Sequence, residues 1–203
     1  MREHRLLVAA TPTAPGPEQP LTDPAAWTDT AGEPLVAGAV TPDVDQGSEV
    51  TGVTFDGTAL HLTPPADGYL GVRHAPGRSA DWSGYGVVVD VTGLGAAEGG
   101  PTGSVFALVG SDQTVQVAVS ATYARVTTGA DGPAPVVVAE QNLTVADAHR
   151  VELRVAGDRV EVIVDGTSIT STPVTPGATG GLALAASNGP ATFADLRLTP
   201  AGS

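Results

Sequence analysis

The stretch from His149 to Leu198 leaves this chain the fewest options. Val151, Leu153 and Val155 alternate with Glu152 and Arg154, a period of two that buries one face of a strand and wets the other. Gly157 and Asp158 then separate this run from Val160, Val162 and Val164. A two-residue link of that kind between alternating runs is the most compact hairpin signal in the chain. Asp165 and Gly166 punctuate the next turn, and a short polar link comes after it. A second apolar run from Gly181 to Ala186, a turn from Ser187 to Pro190, and a closing run from Ala191 to Leu198 complete the stretch. Strands and tight turns are the only economical reading.

Composition extends that reading to the whole chain. Gly at 26 and Pro at 17 together exceed a fifth of the 203 residues. With no collagen-like period, that density of turn formers points to many short strands. Hydrophobic residues make up 41%, enough for one substantial core, and aromatics only 4%. The core is therefore built mainly from Val, Leu and Ala. No amphipathic helical run of useful length is present.

The net charge is −13, and all nine basic residues are arginine. An acidic chain without a basic cluster is not built to neutralise phosphates, so nucleic acid and anionic membrane surfaces are not expected partners. There is no cysteine, hence no disulfide, thiol nucleophile or cysteine metal site. The apolar run from Leu6 to Ala10 is too short for a signal-peptide core, and Glu3 is unfavourable there. No run approaches membrane-spanning length. The expectation is a chain made in the cytoplasm without a signal peptide.

Residues 1–26 read as an N-terminal arm. Arg5 to Ala10 could form a short strand. Pro12, Pro15, Pro17, Pro20 and Pro24 exclude a helix and a central strand from the rest of the arm. The segment is an extended linker, an unstructured tail, or an arm that docks on a neighbouring subunit. Residues 27–199 form the globular part and 200–203 a tail. Strands are expected at Leu35 to Val40, Val50 to Phe55, Thr58 to Thr63, Gly68 to His74, Ser104 to Val109, Thr114 to Ser120, Tyr123 to Thr128 and Val136 to Gln141. Tyr85 to Thr92 is apolar on both faces over part of its length and belongs at a sheet centre. A dozen short strands at near-regular spacing predict an all-β sandwich. No internal repeat suggests a propeller or solenoid.

From Val151 to Leu198 the order of motifs resembles the closing third of a concanavalin A-like (laminin G-like) jelly roll. The matching parts are the alternating strand, the Gly157-Asp158 turn, a strand ending at Asp165-Gly166, the Gly181 to Ala185 strand, and the final Phe193, Asp195, Leu196, Leu198 pattern. The Tyr85 to Asp90 strand resembles an earlier central strand of the same superfamily. The resemblance implies a single antiparallel jelly-roll β-sandwich. It is weakly specific for function, because this fold carries enzymes, lectins and structural modules.

The retaining glucanases of that superfamily place two carboxylates on alternate residues of one strand, in a Glu-x-Asp-x-x-Glu motif, so that they flank a glycosidic bond. No such motif is present. Glu152 and Glu161 lie across the Gly157 hairpin and are expected on a solvated outer face, balanced by Arg150, Arg154 and Arg159. His4, His61, His74 and His149 lack the context of a catalytic triad or the spacing of a zinc site. No catalytic residue is assigned, and no cofactor is required. Calcium is the one metal the resemblance allows. It implies a carboxylate on the final strand, Asp195, with Asp43 and Asp45 as possible loop ligands, although calcium wants six to eight oxygens. The alternative for Asp195 is a carboxylate bonded to arginine or backbone.

Sugar binding would use exposed aromatics that stack on pyranose faces. Tyr69, Trp82 and Tyr85 are the candidates, supported by Arg73, Arg78 and Asp81; the competing role for Trp82 is a core plug. Two functions are in view. The first is a non-catalytic structural or attachment module, displayed on a larger particle such as a bacteriophage virion and fastened to protein partners through the N-terminal arm as part of an oligomer. The second is a free carbohydrate-binding protein of surface glycans; a glycoside hydrolase comes behind both.

Overall fold

The structure is a computed structural model that describes residues 50–66, 68–74, 82–130 and 134–200, with three short strands before them at 19–20, 27–28 and 41–43. The strands expected at 5–10 and 35–40 lie outside the described residues, as do most of the arm and the tail. In chain order the strands are Gln19–Pro20 (β1), Trp27–Thr28 (β2), Thr41–Asp43 (β3), Val50–Phe55 (β4), Ala59–Leu62 (β5), Tyr69–His74 (β6), Tyr85–Thr92 (β7) and Thr102–Val109 (β8). They continue with Val115–Val119 (β9), Tyr123–Thr128 (β10), Val136–Asn142 (β11), Ala148–Ala156 (β12), Arg159–Val164 (β13), Thr167–Pro173 (β14), Gly181–Ser187 (β15) and Ala191–Pro200 (β16). The described residues contain no helix.

Alternation decides which face of each strand turns inward. On β12, Val151, Leu153 and Val155 are buried, with Arg150 and Arg154 exposed and Glu152 half-buried. The Gly157-Asp158 hairpin joins β12 to β13 as expected, with Ala156 opposite Arg159 and Val151 opposite Val164. Full burial of such a side chain contributes about 1.5–3 kcal/mol. Repeated over the central strands, the pattern gives one Val- and Leu-rich layer between two antiparallel sheets.

The nine-stranded sheet runs β14-β13-β12-β7-β16-β5-β4-β3, with β1 paired to β16. The seven-stranded sheet runs β11-β10-β9-β8-β15-β6-β2. As its apolar sequence predicts, β7 is central, between β12 and β16. The closing strands part company: β15 enters the seven-stranded sheet between β8 and β6, and β16 crosses to the other.

Two local irregularities set the details of the nine-stranded sheet. At Asp195 and Leu196 the β16–β7 register shifts, and Asp195 adopts a φ of 48°. The first part of β16 pairs with β5, and β1 pairs beyond the shift, at Arg197 and Leu198. Residues 167–173, read from sequence as a polar link, form β14 instead, the edge strand beside β13. Asp165 and Gly166 make that possible, because both take the positive φ a tight hairpin turn needs, 51° and 76°.

Candidate functional site

The outer face of the seven-stranded sheet is assembled by register. Core positions on β10 are Ala124 and Val126, so Tyr123, Arg125 and Thr127 face outward. On β9 the same logic turns Gln116 and Ala118 outward, and on β6 it exposes Tyr69 and Arg73. Pairing then aligns these residues in rows. One row crosses the sheet from Glu140 through Arg125, Ala118, Ser104 and Ala185 to Gly71. In the neighbouring row Tyr69 stands opposite Ser187, which stands opposite Thr102. Tyr123 lies four strands away, on β10.

Between the two tyrosines is a cleft of about 420 Å³. Thr102 and Ser187 share a 2.5 Å hydrogen bond on its floor, and the Gln116 amide donates to Ser104 Oγ at 3.0 Å. Tyr69 is 43% exposed. Its ring lies against Gly71, where an added Cβ would sit 3.2 Å from the Tyr69 hydroxyl oxygen and 3.3 Å from a ring carbon. The glycine therefore lets the ring lean over the sheet. At the other end the Arg125 guanidinium lies 5.9 Å from the Tyr123 ring centroid, and its Nε donates to Glu140 at 2.6 Å. The cleft thus offers aromatic faces, hydroxyls, an amide and one cation already paired with a carboxylate. No Asp or Glu is among its described lining residues.

The residues expected from sequence distribute unequally over this geometry. Tyr69 lines the cleft, and Arg73 shares its face without lining it. Arg78 and Asp81 lie outside the described residues. Tyr85 is corrected outright: it is fully buried, so no ligand can stack on it. Its hydroxyl accepts from the Leu108 amide at 2.9 Å and donates to the Gly181 carbonyl at 3.0 Å. Burial pushes the phenol pKa upward. Trp82 is half-buried and packs against the core, with its ring centroid 5.5 Å from Tyr85 and 5.0 Å from His74. It serves as the plug rather than the platform. Sequence reasoning passed over Tyr123, Arg125, Gln116 and Ser104. The signal available was their alternation with buried Val and Ala on β8, β9 and β10.

The calcium expectation does not fit the residues described. Arg197 Nε donates to Asp195 at 2.8 Å and Arg150 at 3.1 Å. The Arg197 guanidinium first, with Arg150 behind it, holds the Asp195 carboxyl below the usual carboxylate range. Two cations at the carboxylate oppose a third. Among the described residues no three His, Asp or Glu side chains gather as a metal site. Asp45 lies outside those residues, and Asp43 enters only as backbone of β3.

The opposite outer face is a lattice of ion pairs. Arg150 also meets Asp90 at 2.9 Å, and Arg154 meets Glu152 at 2.7 Å and Glu161 at 3.5 Å. The two glutamates are thus surface partners of Arg154. Arg159 turns to Ser171 instead of balancing them.

No family model matches this chain, and no curated protein matches it in sequence. Solved structures do. The chain is similar to a carbohydrate-binding module, CBM66, from Bacillus subtilis, at 16% identity over 85% of this chain and 95% of that one, with a TM-score of 0.56. A Bacillus licheniformis β-glucanase matches at 13% identity over 90% and 96%, with a TM-score of 0.58. A Bacillus subtilis protein with a galectin-like fold matches at 11% identity over 90% and 94%, with a TM-score of 0.56. The fold is the concanavalin A-like jelly roll. Within that jelly roll, β6, β8, β9, β10, β11 and β15 build the cleft, and β7, β12, β13 and β16 carry the ion pairs.

Proposed function

We propose that the jelly roll binds glycans on the outer face of its seven-stranded sheet, without cleaving them. One observation carries this reading: Tyr69 and Tyr123, four strands apart, line a single cleft together with the hydroxyls of Thr102, Ser104 and Ser187 and the Gln116 amide. Aromatic faces pair with the C–H faces of sugar rings, and the floor groups can exchange hydrogen bonds with sugar hydroxyls. Similar structures that are a carbohydrate-binding module and a β-glucanase support the choice of ligand class. Retaining or inverting hydrolysis needs two carboxyls across the scissile bond. The described lining of this cleft supplies none, and of the two glutamates beside it, Glu98 and Glu140, the second is tied to Arg125, which favours binding over turnover. Particle attachment, the other function expected from the sequence, rests on an arm that lies largely outside the described residues.

The test is a glycan array followed by calorimetry on the hits. Tyr123→Ala and Tyr69→Ala should each weaken binding about tenfold or more, equivalent to about 1.4 kcal/mol, with thermal unfolding unchanged. An array on which no glycan binds would remove this reading. Release of reducing sugar from a hit would replace it with a hydrolase.

A further inference from the structure

A second cleft, of about 540 Å³, adjoins the first. The two share Gly99, Tyr123 and Arg125 as lining residues. The first runs from Val137 on the edge strand β11 across β10 to β6; the second lies along the other end of the β10–β11 pair, at Glu140 and Asn142. Tyr123 and Arg125 therefore line both spaces, which join at these two residues. In strand spacings of about 4.8 Å, Tyr69 and Tyr123 are four strands, or about 19 Å, apart, and β11 adds one more. One sugar ring cannot reach across that distance. A ligand that uses both tyrosines has to be a chain.

Charge narrows the chemistry of that chain. The cation of the first cleft, Arg125, is already bonded to Glu140. The second cleft adds the carboxylates of Glu98 and Glu140 beside Thr122, Gln141 and Asn142. The protein as a whole carries −13, so its long-range field also repels anions. Taking Arg125 for a ligand anion would leave Glu140 unpaired in the same groove.

Resting on the glycan reading above, we infer that the two clefts form one groove for an uncharged oligosaccharide of several residues. The chain lies across β6 to β11, and the second cleft holds its far end. Uronate and sulfated chains are disfavoured, because Glu98 leaves the groove net negative once Arg125 and Glu140 have paired.

The experiment uses the full chain on an array of neutral hexose and pentose oligosaccharides, from one to six residues, beside oligogalacturonides and sulfated oligosaccharides. Neutral chains should gain at least about tenfold in affinity between one and four residues, about 1.4 kcal/mol, and charged chains should give no signal. Asn142→Ala should weaken the longest neutral chains and leave the shortest unchanged. Glu98→Gln with Glu140→Gln should let uronate chains bind. Neutral monosaccharides binding as tightly as chains, or charged chains matching neutral ones, would overturn the inference and leave glycan binding standing. No binding to any glycan would overturn both.

Discussion

The two outer faces of the sandwich are built on the same inner plan and put to opposite use. The central strands of both sheets send Val, Leu and Ala inward. Outward, the nine-stranded sheet presents Arg150, Arg154, Asp90, Asp195, Glu152 and Glu161, whose charges satisfy one another at 2.7–3.5 Å. The seven-stranded sheet presents tyrosines, hydroxyls and an amide around a cleft. A face whose groups are partnered internally has little left to offer a ligand. Neutral donors, acceptors and aromatic rings keep most of their capacity for one. The contrast teaches that interlocked Arg, Asp and Glu close the nine-stranded face, whereas the face proposed for glycan carries fewer charges, with Arg125 and Glu140 paired to each other.

Tyr85 is the sharpest point at which to break this contrast, because it shares ring chemistry with Tyr69 and Tyr123 yet faces inward. Tyr85→Phe keeps the ring but leaves the Leu108 amide and the Gly181 carbonyl without their buried partner. Each such group costs about 1–3 kcal/mol, so a loss of about 2–4 kcal/mol is expected in denaturant unfolding. The Leu108 backbone sits at a φ of 56°, and this hydrogen bond is one of the contacts holding it there. Glycan affinity of the folded fraction should not change. Unaltered stability together with lost binding would return Tyr85 to the ligand site and erase the division between inner and outer tyrosines.

Most of that division was legible in the residues themselves. Tyr85 has the same parity as Val87, Val89 and Val91, all fully buried, so strict alternation assigns it to the core. Reading the strand as apolar on both faces obscured this. Tyr123 and Arg125 have the opposite parity to Ala124 and Val126, which places them outside by the same rule. Parity alone cannot tell that Tyr69 and Tyr123 border one cleft. That depends on β15 entering between β8 and β6, a pairing of residues about 80 and 110 apart in sequence, and no local pattern encodes it. Nor does one encode β14. Its Thr and Ser residues form an edge strand with little burial, so no apolar period marks it. The hairpin at Gly157 was readable because both its turn and its burial are local.

A smaller effect is expected from opening the closed face. Arg150→Ala removes the contacts to Asp90 and Asp195 at once. All three side chains are about a third exposed or more, and solvent screens such pairs, so the loss should be about 0.5–1 kcal/mol and shrink in high salt. Glycan binding on the far sheet should be untouched. A loss of several kcal/mol would mean that the ion lattice holds the sandwich together, and would overturn its description as a solvated surface.

The smallest effect is the pH dependence of that same lattice. Asp195 has its folded pKa lowered, chiefly by Arg197, and Asp56 at the β4–β5 turn is lowered by the His61 ring and then by Thr58. A carboxylate whose folded pKa lies below its unfolded value of about 3.9 contributes stability that is fully present above that value and is lost as pH falls through the folded pKa. Thermal stability should therefore hold from pH 7 to about 5 and decline on acidification below the ordinary carboxylate range. Asp195→Asn should lower the plateau slightly and reduce the acid-side slope, because one of the protons taken up on unfolding is gone. Asp56→Asn should act in the same direction, mostly at the lowest pH, since its carboxyl is held further down. Both variants should bind glycan like the parent at neutral pH, because neither residue lines the cleft. An acid slope unchanged in both variants would show that other carboxylates govern the transition, and the ion lattice would then be neutral to stability as well as to binding.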